Sequence, residues 1–518
     1  MPLPASRWQR SKDRLGAAMR SPRGRDALAL AAGAAGVLAF APFGWWPLAV
    51  LAPALLFVTW ADCRRGRAAW RGWLFGVGYW GAGVYWIYFS LHHFGAAVAP
   101  LAALLTVVFA LALALTLALL GALVGGGDPR ARGVTWFLLV LPGAWILLEW
   151  FRSWFMTGFP WLLVGNSQLD TWLVGYAPVL GVYGTGLAVA FTAGALAALH
   201  RLRWHGHLGI VVLVAGVWIG GALLSGIHWT RSGGLPFDAA LVQGNVDPDE
   251  KFADLGRSLD HYTAVTRGVA GEAEMVVWPE TAVPTFYRNV AERMNGFARE
   301  MEARDTHVIT GVFTFGDTRS RYYNAVRQLG AGHRDYRKQH LVPFGEYMPL
   351  RTVAALRRAL DPDPDVGPRR RRGRPAAVAG RALRDRRRRC ATRSPTRASC
   401  ASRCRRPACS STSSNDAWFG RSTAPYQHLE IARFRARELG RPLLRATNTG
   451  ITAIIDHRGR ILARGPQFAP VVVEARVEPR AGITPYVRWG DVPAVALAGI
   501  LALVPVAVGR YRRRRRRV

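Results

Sequence analysis

VVWPETAVP, at positions 276–284, places an apolar run directly before Trp278, Pro279 and Glu280. Val276 and Val277 are strand formers, and the run stops at the proline. One carboxylate, Glu280, is thereby aimed from the rigid end of a strand, a placement that suits a general base. By itself the motif is equally compatible with a strand-ending glutamate that is only solvated.

Outward from this stretch, positions 237–480 alternate short β-like runs with helical ones. FDAALVQGNV, AEMVVWPE, THVITGVFTF and ITAIIDHRGRILARG read as strands. ADLGRSLDHYTAVTRGVA and VAERMNGFAREMEA read as amphipathic helices. Such alternation predicts an α/β domain with a covered sheet, whose active residues sit on loops at strand ends.

Farther out the chain becomes apolar. Stretches of spanning length, about 20 residues, recur near 27–43, 46–61, 70–91, 97–124, 134–150, 171–199 and 208–226, and again near 490–509. The basic N-terminal RWQRSKDR is followed by no small-residue cleavage site and reads as uncleaved. The N-terminus, CRRGRAAWR at 63–71, DPRAR at 128–132, HRLRWH at 200–205 and the C-terminal arginine run are basic. With seven spans and then one, all five fall on the same side of a membrane. The loops at 92–96 and 151–170, apart from Arg152, are poor in cations. The positive-inside rule then predicts cytoplasmic termini and a polar domain outside the cytoplasm, in the periplasm of a Gram-negative cell. The expected organisation is a membrane domain at 1–229, an α/β domain at 230–485, and a final span with a basic tail at 486–518. Trp45, Trp46, Trp70, Trp73, Trp80 and Trp86 lie near span ends or faces, and most are expected to anchor at the interface, with a lipid-binding groove as the alternative.

Composition agrees with a membrane protein: half of the 518 residues are apolar and 20 are tryptophan. The net charge of +35 lies largely in loops beside spans, which membrane orientation and anionic headgroups explain better than nucleic acid. Transport would require ionisable residues inside spans; few are found, with Glu149 and the His92–His93 pair near span ends. The spacing of Cys390, Cys400, Cys404 and Cys409 matches no paired zinc motif.

Lysine is scarce. Of 68 basic residues only Lys12, Lys251 and Lys338 are lysines, so a compact point charge is notable wherever it occurs. Lys338 lies in YRKQHLVPFGEYMPL, 336–350, together with Glu346, and could stabilise an oxyanion. A third segment, SNDAWFG at 414–420, precedes QHLEIARFRARELGRPLLRATNTG at 427–450.

QGN at 243–245, WPET at 278–281, the segment 338–349, NDAWFG at 415–420 and RPLLRATNTGITA at 441–453 together resemble the carbon–nitrogen hydrolase (nitrilase) superfamily. Seven spans, an external domain and one final span narrow the resemblance to its membrane-bound branch, the apolipoprotein N-acyltransferases. The resemblance implies a multi-span α-helical membrane protein with an extracytoplasmic α/β domain, an α-β-β-α sandwich. It implies a Glu-Lys-Cys triad, with Glu280 as general base, Lys338 at the oxyanion and Glu346 in support. It implies transfer of an acyl group from phospholipid, through a cysteine thioester, to the α-amine of a diacylated apolipoprotein in a bacterial inner membrane, with no cofactor and no metal. A membrane-tethered amidase of small amides and a catalytically dead polytopic protein remain as alternatives.

The chain departs from the family at its nucleophile, which belongs in a Cys-Tyr-Glu motif upstream of NDAWFG. Instead, 369–406 carries 16 arginines, no lysine and one acid, Asp385. No apolar period survives there, and a core strand needs one. Cys390 occupies about the right place, 25 residues before Asn415. One permitted coding of Cys390–Thr396 is TGT GCT ACG AGA TCG CCT ACG. Shifted by two bases it reads Cys-Tyr-Glu-Ile-Ala-Tyr. The stretch at about 366–412 is therefore read as out of frame, with a disordered basic insert as the alternative, and the literal chain is expected to be inactive or poorly folded.

Overall fold

The computed structural model of the chain describes residues 21–95, 97–126, 129, 132–246, 255–315, 322–330, 335–338, 399–400, 409–414 and 416–515. They fall into two compact units. One holds Met1–His228, Arg421–Glu430 and Trp489–Val518, and the other Trp229–Gly420 and Ile431–Arg488.

The first unit is helical. Its longer helices are Pro22–Gly36, Pro47–Trp60, Arg65–Gly83, Ala99–Val124, Leu141–Arg152, Ala177–Ala198, Trp204–Gly226 and Val492–Arg515. Among the described residues, three helical stretches are long and apolar enough to cross a membrane: Ala99–Val124, Trp172–Arg201 and Trp204–Gly226. Pro47–Trp60 and Val492–Val508 are apolar but shorter. In Trp204–Gly226 only Ile210 and Gly221 are buried, so its aliphatic surface faces outward. Close helix contacts rest on small residues, as membrane helices require. A Cβ on Gly33 would stand 2.0 Å from the carbonyl oxygen of Phe75 on the helix Arg65–Gly83.

Two sequence expectations are revised here. The stretch at 70–91 is not one helix: Arg65–Gly83 ends at Val84, and the chain resumes as Ile87–Phe89 followed by the π-turn Ser90–Phe94. Trp80 and Trp86 are not exposed anchors but buried side chains. Trp86 packs on Trp161, and Arg152 lies 4.5 Å over the Trp80 ring. Trp45, Trp46 and Trp70 are exposed, as interface residues would be.

The second unit is α/β. Its larger sheet runs, in spatial order, Val471–Val477, Phe237–Gln243, Met275–Val277, His307–Phe315, Tyr322–Gln328 and Asp335–Arg337, with Val283–Phe286 also paired to His307–Phe315. The central three strands are parallel and the outer pairings antiparallel. The smaller sheet runs Ile461–Arg464, Ala453–Ile455, Leu443–Thr447, Ser410–Ser414 and Ser399–Cys400. The strand period of two sorts the side chains into two cores. Ala240, Val242, Val276, Val308 and Val312 face Leu259, Tyr262, Phe297 and Met301, which come from the helices Leu255–Val269 and Ala291–Glu302. Their neighbours Ala239, Leu241, Met275, Val277 and Ile309 face Leu444, Ala446 and Ile454 of the smaller sheet. Thus helices cover one face of the large sheet and a second sheet covers the other. The run read as one strand, ITAIIDHRGRILARG, is a hairpin: Ala453–Ile455 pairs antiparallel with Ile461–Arg464 across the turn at Asp456–Arg460.

Candidate active site

The strand Met275–Val277 ends where Trp278 donates its backbone N–H to Ile309 at 2.8 Å. The indole is fully buried between Tyr262 and Phe297, and its Nε1 donates to Thr266 Oγ1 at 2.8 Å. This anchor fixes the chain two residues before Glu280. Thr281, directly after it, has φ +54°, a conformation that L residues rarely adopt and that the surroundings must hold. Gly311, on the neighbouring strand, makes room for the turn. A Cβ there would lie 2.5 Å from Thr281 N and 2.9 Å from Glu280 Cα.

Glu280 is 8% exposed and Lys338 is 8% exposed. Lys338 follows the strand Asp335–Arg337, and its backbone N–H donates to the Asn324 carbonyl at 2.8 Å. Its Nζ donates to Glu280 Oε1 at 3.0 Å. The Asn324 amide Nδ2 donates to the same oxygen at 2.6 Å. A buried carboxylate is thus paired with a buried ammonium and a neutral donor. Glu280 is not merely solvated, because burial of this kind demands partners. Such a pair can move a proton and hold a developing oxyanion close together.

Glu346 and Cys390, the other site residues expected from sequence, lie outside the described residues, as do 339–398 altogether. The structure therefore brings Glu280 and Lys338 together and leaves those two undescribed.

Two further segments singled out in the sequence buttress the sheet ends. Asp416 of NDAWFG and Arg445 of RPLLRATNTG form a fully buried ion pair, Arg445 Nη2 to Asp416 Oδ2 at 2.6 Å. Asn448 clasps the QGN loop: its Nδ2 donates to the Val246 carbonyl at 2.7 Å, and Val246 N donates to its Oδ1 at 3.1 Å. Burial holds the nearby Tyr262 phenol well above its ordinary range, so it stays neutral.

Asn324 and Gly311 were missed by sequence reasoning. Both left signals: a polar amide in the strand YYNAVRQ, and a glycine inside a run of β-branched and aromatic residues, the usual mark of close backbone approach. In the helical unit, Glu149 is buried, its Oε1 accepting from Trp145 Nε1 and Val164 N. Arg152, expected in a loop, ends the same helix and donates to the carbonyls of Phe159 and Trp161. Among the described residues, no group of three or more His, Cys, Asp and Glu is arranged to hold a metal.

A carbon–nitrogen hydrolase family model matches residues 238–357 and 398–485, so the α/β unit with Glu280 and Lys338 is a domain of that class. Residues 32–195 match the apolipoprotein N-acyltransferase N-terminal domain. The chain is 40% identical to the apolipoprotein N-acyltransferase of Methylococcus capsulatus over 501 residues, 92% of this chain and 95% of that one. It is 41% identical to that of Azotobacter vinelandii, over 92% of this chain and 93% of the relative. For that of Pseudomonas aeruginosa the identity is 38%, with 92% and 94% covered. The chain belongs to the apolipoprotein N-acyltransferase family and is an acyltransferase of the carbon–nitrogen hydrolase type. The match is interrupted at 358–397, the interval that contains Cys390.

Proposed function

We propose that this protein transfers a fatty acyl group from a phospholipid to the N-terminal amine of a diacylglyceryl-Cys lipoprotein, in two steps through a cysteine thioester. The observation that carries the chemistry is the buried contact of Lys338 Nζ with Glu280 Oε1 at 3.0 Å. In the first step Glu280 takes the thiol proton and the thiolate attacks the sn-1 ester carbonyl. Lys338 holds the tetrahedral oxyanion. Collapse breaks the ester C–O bond, and the lysophospholipid alkoxide leaves with the proton from Glu280. In the second step the lipoprotein amine attacks the thioester carbonyl and gives its proton to Glu280. The thiolate leaves, and the proton returns to it. Glu346 supports the pair from the segment after Lys338.

The nucleophile belongs to the interval at about 366–412, whose frame we take to be displaced. The family match lapses within it. The strand Ser410–Ser414 supports the same reading. It lies inside the smaller sheet, parallel to Leu443–Thr447, yet consists of serine and threonine, with Ser411 and Ser414 buried. Interior strands read as apolar runs. One permitted coding of Ala408–Ser413 is GCC TGC TCA TCA ACG TCT. Displaced by the same two bases it reads Leu-Leu-Ile-Asn-Val, the apolar strand this position calls for. Cys390 marks the nucleophile's place, and the literal sequence around it carries no apolar period of the kind a core strand needs.

The membrane arrangement we propose has seven spans within 1–229, the catalytic α/β sandwich at 230–485 in the periplasm, and a last span with a cytoplasmic tail in 486–518. The three long apolar helices and the loop charges support it.

The test is to express the frame-restored chain and its Glu280→Gln variant with phospholipid and a diacylated lipopeptide, and to follow the peptide's mass. A gain of one acyl group, absent in the variant, is expected. No gain from the restored chain would sink the proposal, and release of ammonia from a small amide supplied instead would favour the amidase.

A further inference from the structure

We infer that the turn at 153–158 is a membrane-inserting element: Trp154, Phe155 and Met156 enter the bilayer at the boundary between headgroups and acyl chains. The leaflet, the one on the cation-poor side, rests on the membrane arrangement proposed above.

The turn closes on itself. It follows the helix Leu141–Arg152, and Ser153 Oγ donates back to the Glu149 carbonyl at 2.7 Å. Gly158 N donates to the Phe155 carbonyl at 2.8 Å, and Phe159 N returns to the Arg152 carbonyl at 2.9 Å. Met156 stands at the tip with φ +48° and ψ +46°. Gly158 has φ +86°, and a Cβ there would lie 2.0 Å from the Ser153 carbonyl oxygen. These backbone bonds fix the turn without help from the side chains at its tip.

The polarity of the turn is the reverse of a soluble surface. Trp154, Phe155 and Met156 are 51%, 49% and 80% exposed. Arg152, just before them, is buried and turned inward, to the carbonyls of Phe159 and Trp161. From Ser153 to Leu169 the chain carries no charged residue and no histidine. A contiguous apolar tip with the charge withdrawn marks an interaction surface. The same surface continues into the helix before it. Trp154 meets Trp150 at 5.4 Å and Phe151 at 5.3 Å between ring centroids, and Phe151 stacks on Phe155 at 4.6 Å. That helix lies in an apolar stretch read as a span, so the rings begin where the span ends. A bilayer is the occupant that fits such a site: it is apolar, offers no charge to pair, and is already beside the helix. Tryptophan favours the membrane interface. Interfacial elements sink their apolar faces about 5–10 Å into the boundary of headgroups and acyl chains, which is the level of the glycerol esters.

The test uses the full-length, frame-restored chain with its native cysteines changed to serine. Met156→Cys carries an NBD group, and the protein is reconstituted in vesicles of phosphatidylethanolamine and phosphatidylglycerol. Ser232→Cys, at an exposed position of the α/β unit, is the aqueous reference. The probe at 156 should emit at shorter wavelength than the reference. It should lose more emission to nitroxide-bearing phospholipids than to iodide, and more to a nitroxide near the top of the acyl chain than to one near its end. Phe155→Cys carries the same test if Met156→Cys does not fold. Emission and iodide quenching equal to the reference would overturn the proposal. So would a blue-shifted probe that neither quencher reaches, because protein would then cover the turn. Inverted sidedness of Gly66→Cys and Ser232→Cys toward an impermeant reagent, with position 156 still quenched by nitroxide lipids, would move the turn to the opposite leaflet and leave its insertion standing.

Discussion

Glu280 and Lys338 stand 58 residues apart in the chain and meet at 3.0 Å. At the level of single residues, the sequence indicated both for different reasons. Glu280 ended a strand, and Lys338 was a lysine where arginine is the rule. Their pairing has a kinetic consequence. Glu280→Gln should lower thioester formation by about 10²–10⁴-fold, the usual yield of a positioned base. Lys338→Met should cost about 10²–10³-fold, the worth of one oxyanion donor, and Lys338→Arg should not restore it, because a planar fork does not replace a point charge. Rates in the range of the restored parent for either variant, measured by trapping the acyl-enzyme, would remove that residue from the mechanism. Asn324 escaped because one asparagine in a strand carries no spacing. Its value comes from a cross-strand neighbour that only the register of Tyr322–Gln328 supplies.

At the level of elements, the site depends on how closely strand ends approach. Gly311→Ala would drive a Cβ to 2.5 Å from Thr281 N, and overpacking of this kind costs about 1–3 kcal/mol. A lower melting temperature and a displaced Glu280 are expected; an unchanged melt would show that the turn can yield. The buried pair Asp416–Arg445 ties the end of Ser410–Ser414 to Leu443–Thr447. Removing one partner, as in Asp416→Ala, should destabilise by about 3–5 kcal/mol, whereas replacing both with apolar residues should cost much less. Denaturant melts of the two singles and the double distinguish this from simple additivity. In the hairpin turn, burial first and Arg480 second hold the His457 imidazole below its ordinary value of 6.5. The native state therefore resists its protonation. Above 6.5 both states are neutral there and the residue has no effect. As pH falls below 6.5 the unfolded chain takes the proton first, and stability declines. His457→Gln should flatten that part of the melting temperature against pH.

At the scale of the whole molecule, the proposed arrangement predicts sidedness. A cysteine placed at Gly66, in the basic loop 63–71, should escape a membrane-impermeant thiol reagent added to intact spheroplasts, and one at Ser232 should react. The reverse result would invert the topology. The restored chain should also melt cooperatively at a higher temperature than the literal one. Helix positions, strand–helix alternation and the two charged residues of the site were legible in the amino-acid order, because periodicity, turn residues and an unusual lysine are local properties. The course of 70–91 was not, nor was the burial of Trp80 and Trp86, since apolar length does not say which helices will surround a side chain. By itself the sequence determined that an apolar helical region precedes and follows an α/β domain, and that the nucleophile's segment is anomalous. Only the tertiary structure decided that Glu280 is a paired, buried carboxylate. That state requires Lys338 and Asn324 to converge on one oxygen, and convergence is set by strand register and a glycine-sized gap.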